Sequence, residues 1–112
     1  MLDRLGGRLE QYMNLLSARQ RQVASNIANA DTPGYKTRDI NFQAEFRDLM
    51  ENGSPRAVEV AGLQAKNDGN NVSLDREARL LAENALRFSV ATSLARAEIR
   101  AVKSAIQEGK GV

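Results

Sequence analysis

The fold is decided by the stretch Ser25-Asn26-Ile27-Ala28-Asn29-Ala30-Asp31-Thr32-Pro33-Gly34-Tyr35-Lys36, which interrupts a helical pattern. Pro33 cannot continue a helix, and it pushes the preceding Thr32 toward extended geometry. Pro33-Gly34 is typical of a turn in which Gly34 adopts a positive φ without steric cost. The stretch therefore predicts that a helix ends near Asn29 and that a specifically folded loop follows. An ordinary helix stop is the competing interpretation, because Pro-Gly turns are common.

The segment before this loop carries a heptad pattern. Its apolar residues are separated by steps of three and four at Leu2, Leu5, Leu9, Tyr12 and Leu16, and Val23 and Ala30 continue one of the two positions. This spacing places them on one face of a helix that packs against a partner helix. Arg19 and Asn26 occupy the second of the two heptad positions. Polar residues there weaken the packing between two helices and specify its register. We predict an N-terminal helix within residues 1–30.

The C-terminal segment carries a longer pattern of the same kind. Its apolar positions alternate steps of four and three along Leu74, Ala78, Leu81, Ala85, Phe88, Thr92, Ala95, Ile99, Val102 and Ile106. A second apolar strip runs beside them at Leu80, Leu86, Val90 and Leu94. Ser73 is a suitable N-cap, and Asp75 and Glu77 place negative charge at the positive end of the helix dipole. We predict a C-terminal helix over residues 73–108.

The middle of the chain, residues 31–72, is irregular by comparison. Asp39 or Asn41 is suited to cap a short helix over residues 42–50. Alternating apolar and polar residues over 56–60 predict a short strand. The predicted fold is mainly α, with the two long terminal helices paired as a coiled-coil-like hairpin and a middle that contains loops and either a short helix or a β-hairpin.

Asp68-Gly69-Asn70-Asn71 is a strong signal for a turn or hairpin ahead of the C-terminal helix. Asp68, Asn70 and Ser73 superficially match the start of a calcium-binding loop. The twelfth position of such a loop requires glutamate, and Arg79 occupies it here. We therefore predict no metal site in this turn.

The composition excludes several classes of function. The chain has 112 residues, no cysteine and no histidine, so it lacks thiolates and the commonest general base and metal ligand. Its acidic residues are dispersed over solvated helix faces, and we predict no catalysis and no cofactor. A net charge of +2, with both signs interspersed, argues against nucleic acid as the main partner. No apolar run is long enough to span a membrane, and the N-terminus lacks a signal-peptide core, which alone predicts a cytosolic protein.

The predicted protein is one small domain, residues 1–112, with two helices that each carry an apolar stripe. When these helices pair, they bury only a narrow strip of apolar surface. The entropy lost by ordering both helices is comparable to the free energy gained from burying that surface. The second apolar strip of the C-terminal helix also requires cover from another molecule. We therefore predict that the isolated chain is only partly folded and that its helices become stably folded within an assembly.

Two blocks of the sequence resemble a known family. The stretch from Ser25 to Lys36 resembles the signature of bacterial flagellar basal-body rod proteins, and its continuation Thr37-Arg38-Asp39-Ile40-Asn41-Phe42 resembles the proximal members of that family. The second block, Asp68-Gly69-Asn70-Asn71-Val72-Ser73-Leu74-Asp75-Arg76-Glu77, followed by Ala82-Glu83-Asn84, resembles the same family. The resemblance covers essentially the whole chain.

The resemblance implies a structural role without catalysis. Members of the family pair their terminal helices into a unit that polymerises as part of the proximal rod and transmits torque toward the hook. The implied partners are copies of itself, rod proteins like FlgC, the adaptor FliE, the MS-ring protein FliF and the flagellar type III export apparatus. No nucleic acid or small-molecule substrate is implied. The chain would be exported without a cleaved signal peptide and would reside in the periplasmic rod, which revises the cytosolic expectation.

The resemblance also suggests roles for particular residues. The loop residues expected to shape the loop and to meet neighbouring subunits are Asn26, Asn29, Asp31, Pro33, Gly34 and Tyr35. The residues expected to pack the two helices together are Leu9, Leu16, Val23 and Ile27 against Leu81, Phe88, Ile99 and Val102. A purely internal core is the competing role for this second set. The competing function for the whole chain is a cytosolic helical-hairpin adaptor or chaperone that binds one partner helix.

Overall fold

The computed structural model describes residues 2–45, 47 and 55–110. In this part of the chain, two long helices, α1 (Leu2–Ala28) and α2 (Leu74–Lys110), flank the short strands β1 (Arg38–Ile40) and β2 (Ala57–Glu59). The structure is elongated, with principal extents of 72 × 27 × 18 Å. The prediction of a mainly α fold with long terminal helices is confirmed.

The ends of the helices follow local rules of capping. Near the C-terminus of α1, the amide of Ala30 donates to the carbonyl of Ile27 at 3.2 Å, a tightened last turn that leads into the loop. At the start of α2, the hydroxyl of Ser73 accepts a hydrogen bond from the amide of Arg76 at 3.2 Å, as an N-cap does. The helix continues to Lys110, two residues beyond the predicted end at residue 108, because one exposed glycine at 109 costs only about 1 kcal/mol.

The two strands form an antiparallel pair in which Asp39 lies opposite Val58. The strand predicted at 56–60 is therefore present as β2, whereas its partner β1 was not anticipated. Asp39 belongs to β1 and does not cap a helix, and Asn41 takes that role by accepting the amide of Ala44 at 3.3 Å. The short helix that follows is described at residues 42–45 and 47, and the rest of the predicted range, residues 46 and 48–50, lies outside the described residues.

The helices α1 and α2 run antiparallel and share a narrow core. Leu15, Leu16 and Val23 of α1 are fully buried. The strand residue Ile40 joins Leu15 and Ala18 in one apolar cluster, so the strand pair leans on the side of α1. A polar contact fixes the register of the hairpin, because Nδ2 of Asn84 donates to the backbone carbonyl of Leu16 at 2.9 Å. Among the described helices, none is long and apolar enough to cross a membrane.

Candidate subunit-interface site

The loop after α1, residues 29–37, folds back on itself at its start. The carbonyl of Asn29 accepts the amide of Thr32 at 3.0 Å, and the side-chain oxygen of Asn29 accepts the hydroxyl of Thr32 at 3.0 Å. The amide of Tyr35 then donates to the carbonyl of Thr32 at 3.2 Å. Gly34 has a φ of 75°, a conformation that only glycine adopts readily. The turn predicted from Pro33-Gly34 is therefore specifically folded and is not an ordinary helix stop.

Asn26, in the last turns of α1, ties the helix to the far end of this loop. Its side chain is buried, and its Nδ2 donates to the carbonyl of Arg38 at 2.8 Å. Its Oδ1 accepts the hydroxyl of Tyr35 at 2.9 Å and the amide of Arg38 at 3.3 Å. A buried amide whose donor and acceptor are both used specifies one geometry, because every alternative leaves a polar group unpaired.

Asn70 fastens the loop from the other side. Its Nδ2 donates to two loop carbonyls, those of Asn29 at 2.9 Å and Thr32 at 2.8 Å, and its Oδ1 accepts the amide of Val72 at 2.9 Å. The Asn70 side chain is completely buried, and its hydrogen bond with the amide of Val72 is buried as well. Asp68 shapes the turn that presents Asn70, because its Oδ1 accepts the amide of Asn70 at 3.0 Å.

Backbone contacts complete this clamp, which we define as residues 66–72. The amide of Gly34 donates to the carbonyl of Asp68 at 2.9 Å, and Oδ1 of Asn71 accepts the amide of Thr37 at 2.6 Å. A Cβ added to Gly69 would lie 3.4 Å from the Cα of Gly34, so the two chain segments approach closely. The two sequence blocks that resemble the rod family therefore form one hydrogen-bonded unit in space.

An ionic cluster lies beside the clamp, between the hairpin and the strands. Both carboxylate oxygens of Asp39 accept from the guanidinium of Arg19 at 3.1 Å, and Oδ2 also accepts from Arg76 at 2.6 Å. Arg76 in turn donates to Glu77 at 2.8 Å. Glu77 is fully buried, so the expectation that the acidic residues lie on solvated helix faces is wrong for this residue. Burial alone would raise the pKa of Asp39. This effect is outweighed by the hydrogen bonds from Arg19 and from the amide of Ile40, by the charge of Arg19, and by the hydrogen bond from Arg76. The pKa of Asp39 is therefore lowered. One carboxylate thus links α1, β1 and the start of α2.

The lowered pKa of Asp39 predicts a specific acid sensitivity. Because the folded-state pKa lies below the ordinary value of 3.8, the carboxylate stabilises the fold above pH 3.8, and this contribution is lost as pH falls through the folded-state pKa. Asp39→Asn should remove about 2–3 kcal/mol of stability near neutral pH, since it leaves two guanidinium groups facing each other. The difference between wild type and variant should shrink below pH 3.8. Circular dichroism in a folding-promoting osmolyte, scanned from pH 7 to 2, measures it; a difference that does not change with pH would contradict the assignment.

The structure separates the predicted loop residues into two groups. Asn26 is buried and Tyr35 is half-buried with its hydroxyl on Asn26, so these two hold the loop in shape. Asp31, Pro33 and Gly34 are exposed at the tip. Asp31 lies 3.9 Å from the ammonium of Lys66, an exposed pair of little energetic weight. Asn29 is intermediate in exposure, and both its backbone and its side chain are used within the loop.

The predicted helix-packing residues also differ in their burial. Leu16 and Val23 are buried, whereas Leu9, Leu81 and Val102 are half-buried. Ile27 and Phe88 are each 37% exposed in the single chain, and Ile99 is 56% exposed. The hairpin therefore uses part of this set for its own core and leaves the remainder on its surface.

Several residues that build the site are not identifiable from the sequence. Asn70 and Asn71 have the composition of turn formers, whereas in the structure their side chains bind the first block. Asp39, Arg19 and Arg76 were not connected, because their partners lie far apart in the sequence. One feature of the sequence does point to these contacts. Two distinctive blocks occur in one short chain, which indicates that they depend on each other in the folded structure.

The chain is an elongated antiparallel helical hairpin with a clamped polar loop and with apolar residues exposed along α2. Comparison with known proteins specifies the class. A sequence model described as flagella basal body rod protein matches residues 13–36, which include the end of α1 and most of the loop.

Curated relatives extend this similarity to nearly the whole chain. The chain is 32% identical over 137 aligned positions to flagellar basal body rod protein FlgB of Yersinia enterocolitica, with 97% of this chain and 100% of the relative covered. It is 33% identical to FlgB of Escherichia coli strain K12, with 97% and 99% covered. The alignment with the Yersinia protein is longer than the 112 residues of this chain, so the relative contains residues without a counterpart here. The chain belongs to the flagellar basal body rod protein family. It is a structural subunit of the rod of the flagellar basal body.

Proposed function

We propose that this chain is a subunit of the proximal rod and that it polymerises there through its two long helices to transmit torque toward the hook. The observation that carries the proposal is the similarity, over 97% of the chain, to proteins named FlgB. The exposed apolar residues of α2 support it, because a soluble monomer would not present so many along one helix. A cytosolic adaptor for one partner helix would need to cover one such face, whereas this hairpin exposes apolar residues in several directions.

We further propose that the neighbours are copies of the chain, rod proteins like FlgC, the adaptor FliE and the MS-ring protein FliF. Export through the flagellar type III apparatus, without signal cleavage, would deliver the chain to the periplasmic part of the rod. The marginal core supports this route, since a chain whose helices become firm only on assembly passes easily through a narrow export channel. No catalytic role, metal or cofactor is proposed, and in residues 2–45, 47 and 55–110 no acidic cluster is arranged to hold a metal ion.

Deletion of the gene in a flagellated host tests the proposed function. We expect non-motile cells that build nothing beyond the membrane ring, because the proximal rod is the foundation for every later axial structure. A copy supplied in trans should restore swimming. Normal swimming of the deletion strain would contradict the proposal and would favour the cytosolic adaptor.

A further inference from the structure

The face of α2 that packs against α1 is only partly apolar. Among the described side chains of α2, those that are buried are Glu77, Leu80, Asn84 and Ala91. Burying a carboxylate or an amide costs free energy unless the group is paired, and an alanine side chain buries little apolar area. This face alone therefore contributes little to the pairing of the two helices, which needs a further source of stability.

Residues 37–42, which contain β1, lie against both helices and supply such a source; we define them as the splint. Its first bridge is Asp39, whose Oδ2 accepts from Arg19 of α1 at 3.1 Å and from Arg76 of α2 at 2.6 Å. Both arginine side chains are largely buried. Because the two guanidinium groups contact the same oxygen, they lie close together, and they repel each other when the carboxylate is absent.

The second bridge of the splint is Phe42. Its ring meets the ring of Tyr12 of α1 edge to face, with the ring centroids 5.4 Å apart. The guanidinium carbon of Arg87 of α2 lies 5.2 Å from the centroid of the Phe42 ring, within the range of a cation–π contact. Glu83 of α2 joins the two bridges, because its carboxylate pairs with Arg87 at 2.8 Å and lies 4.0 Å from the guanidinium of Arg19.

The contacts that fasten the splint to α1 do not involve α2. The side chain of Asn26 donates to the carbonyl of Arg38 at 2.8 Å and accepts its amide at 3.3 Å, so it pairs with β1 as a neighbouring strand would. Ile40 packs into one apolar cluster with Leu15 and Ala18 of α1. Docking on α1 therefore fixes the splint and presents its two bridging side chains to α2.

We propose that α1 and α2 pair only when the splint is docked on α1. The carboxylate and the ring that the splint adds to α1 are the groups that Arg76 and Arg87 of α2 contact. The hairpin is therefore conditional on the middle of the chain, and displacement of residues 37–42 from α1 releases α2. This coupling is a property of the single chain and does not depend on its place in the rod.

Distance measurements between two spin labels on the purified full chain test the coupling. The chain contains no cysteine, so Arg8→Cys on α1 and Arg96→Cys on α2 supply the only attachment points. Both positions are exposed and lie outside the splint. The helices approach closely here, since a Cβ added to Gly6 would lie 3.3 Å from Oε1 of Glu98. In an osmolyte that promotes folding, the chain with an intact splint should give a short, narrow distance distribution.

Removal of either bridge should shift the labels to long, broadly distributed distances. Asp39→Asn should lower the ratio of paired to unpaired chain about tenfold or more, because it leaves two guanidinium groups without their shared carboxylate. Phe42→Leu keeps the apolar bulk but loses the ring, and it should lower this ratio about twofold to tenfold. Two controls should leave the ratio unchanged: Phe42→Tyr, which keeps the ring, and Glu59→Gln, which removes a negative charge from an exposed residue of β2.

The decisive variant combines Asp39→Asn with Arg19→Gln. It removes one charge of each sign and leaves Arg76 paired with Glu77. The two neutral amides introduced at these positions retain a donor and an acceptor for each other. The ratio of paired to unpaired chain should therefore return most of the way to that of the unsubstituted chain, although this variant carries one more substitution than Asp39→Asn.

Four results would overturn the inference. Short distances that persist in Asp39→Asn or in Phe42→Leu would show that α1 and α2 pair without the splint. A double variant no better paired than Asp39→Asn would exclude repulsion between the two arginines. Equal loss in Phe42→Leu and Phe42→Tyr would exclude the ring face as the contact. Long distances in the chain with an intact splint, at every osmolyte concentration, would show that the docked splint does not suffice.

Discussion

Replacing Asn70 by alanine should abolish the ordered loop and, with it, incorporation of the chain into the rod. The substitution removes three hydrogen bonds of a fully buried side chain, two to the carbonyls of Asn29 and Thr32 and one from the amide of Val72. The expected loss is about 3 kcal/mol, because each of the three bonds contributes about 1 kcal/mol and the buried amide of Val72 is left without its acceptor. The free energy of unfolding of a hairpin with such a narrow core is too small to absorb this loss. The osmolyte concentration that gives half-maximal helicity should rise, and swimming should fall to the level of the deletion strain.

Two further substitutions distinguish the loss of the Asn70 hydrogen bonds from a general effect of mutation in this segment. Asn67→Ala changes an exposed residue three positions earlier and should leave helicity and swimming unchanged. Asn70→Asp keeps the shape and the acceptor but directs a carboxylate oxygen at two carbonyls, so it should be as damaging as Asn70→Ala. Normal assembly of Asn70→Asp would contradict the role of Nδ2 as the donor that holds the loop.

Replacing Gly34 by valine should block assembly while the chain is still expressed. Gly34 has a φ of 75°, and a β-branched side chain there imposes strain of about 1–3 kcal/mol. That strain falls on the amide bonded to the carbonyl of Asp68 and on the backbone that lies close to Gly69. The expected results are loss of the chain from basal bodies and loss of swimming, with normal amounts of the chain in whole cells.

Gly62 supplies the matched control for this substitution. Its φ is 81°, and like Gly34 it has open space where a side chain would begin. Gly62→Val therefore imposes the same kind of backbone strain, but outside the loop and the clamp. We expect Gly62→Val to retain most of the swimming of wild type. Equal loss in both variants would show that strain alone, and not the position of Gly34 in the loop, prevents assembly.

The long helices were predictable because their information is local. Steps of three and four between apolar residues locate both helices, and Pro33 and Ser73 mark two of their ends. The extension of α2 to Lys110 departed from the pattern only because an exposed glycine is a weak terminator. The turn at Gly34 was predictable for the same reason, because the backbone preferences of its own residues favour a turn.

The strand β1 and the clamp were not predictable, because they depend on contacts between distant segments. Arg38-Asp39-Ile40 has no alternating pattern long enough to indicate a strand, and it is ordered by pairing with β2 and by the burial of Ile40. Asn70 has the composition of a turn residue, and its second role becomes visible only when the carbonyls of Asn29 and Thr32 stand beside it. The division of the apolar helix residues between internal core and exposed surface is likewise set by the crossing of α1 and α2.

The most direct test of the central claim, that this chain is a structural subunit of the rod, is the location of an epitope-tagged copy that restores swimming to the deletion strain. Detergent-resistant basal bodies purified from these cells should contain the tag, and immunogold labelling should place it on the rod just above the membrane ring. Recovery of the tag only in the soluble cytosolic fraction, in cells that swim normally, would contradict the account.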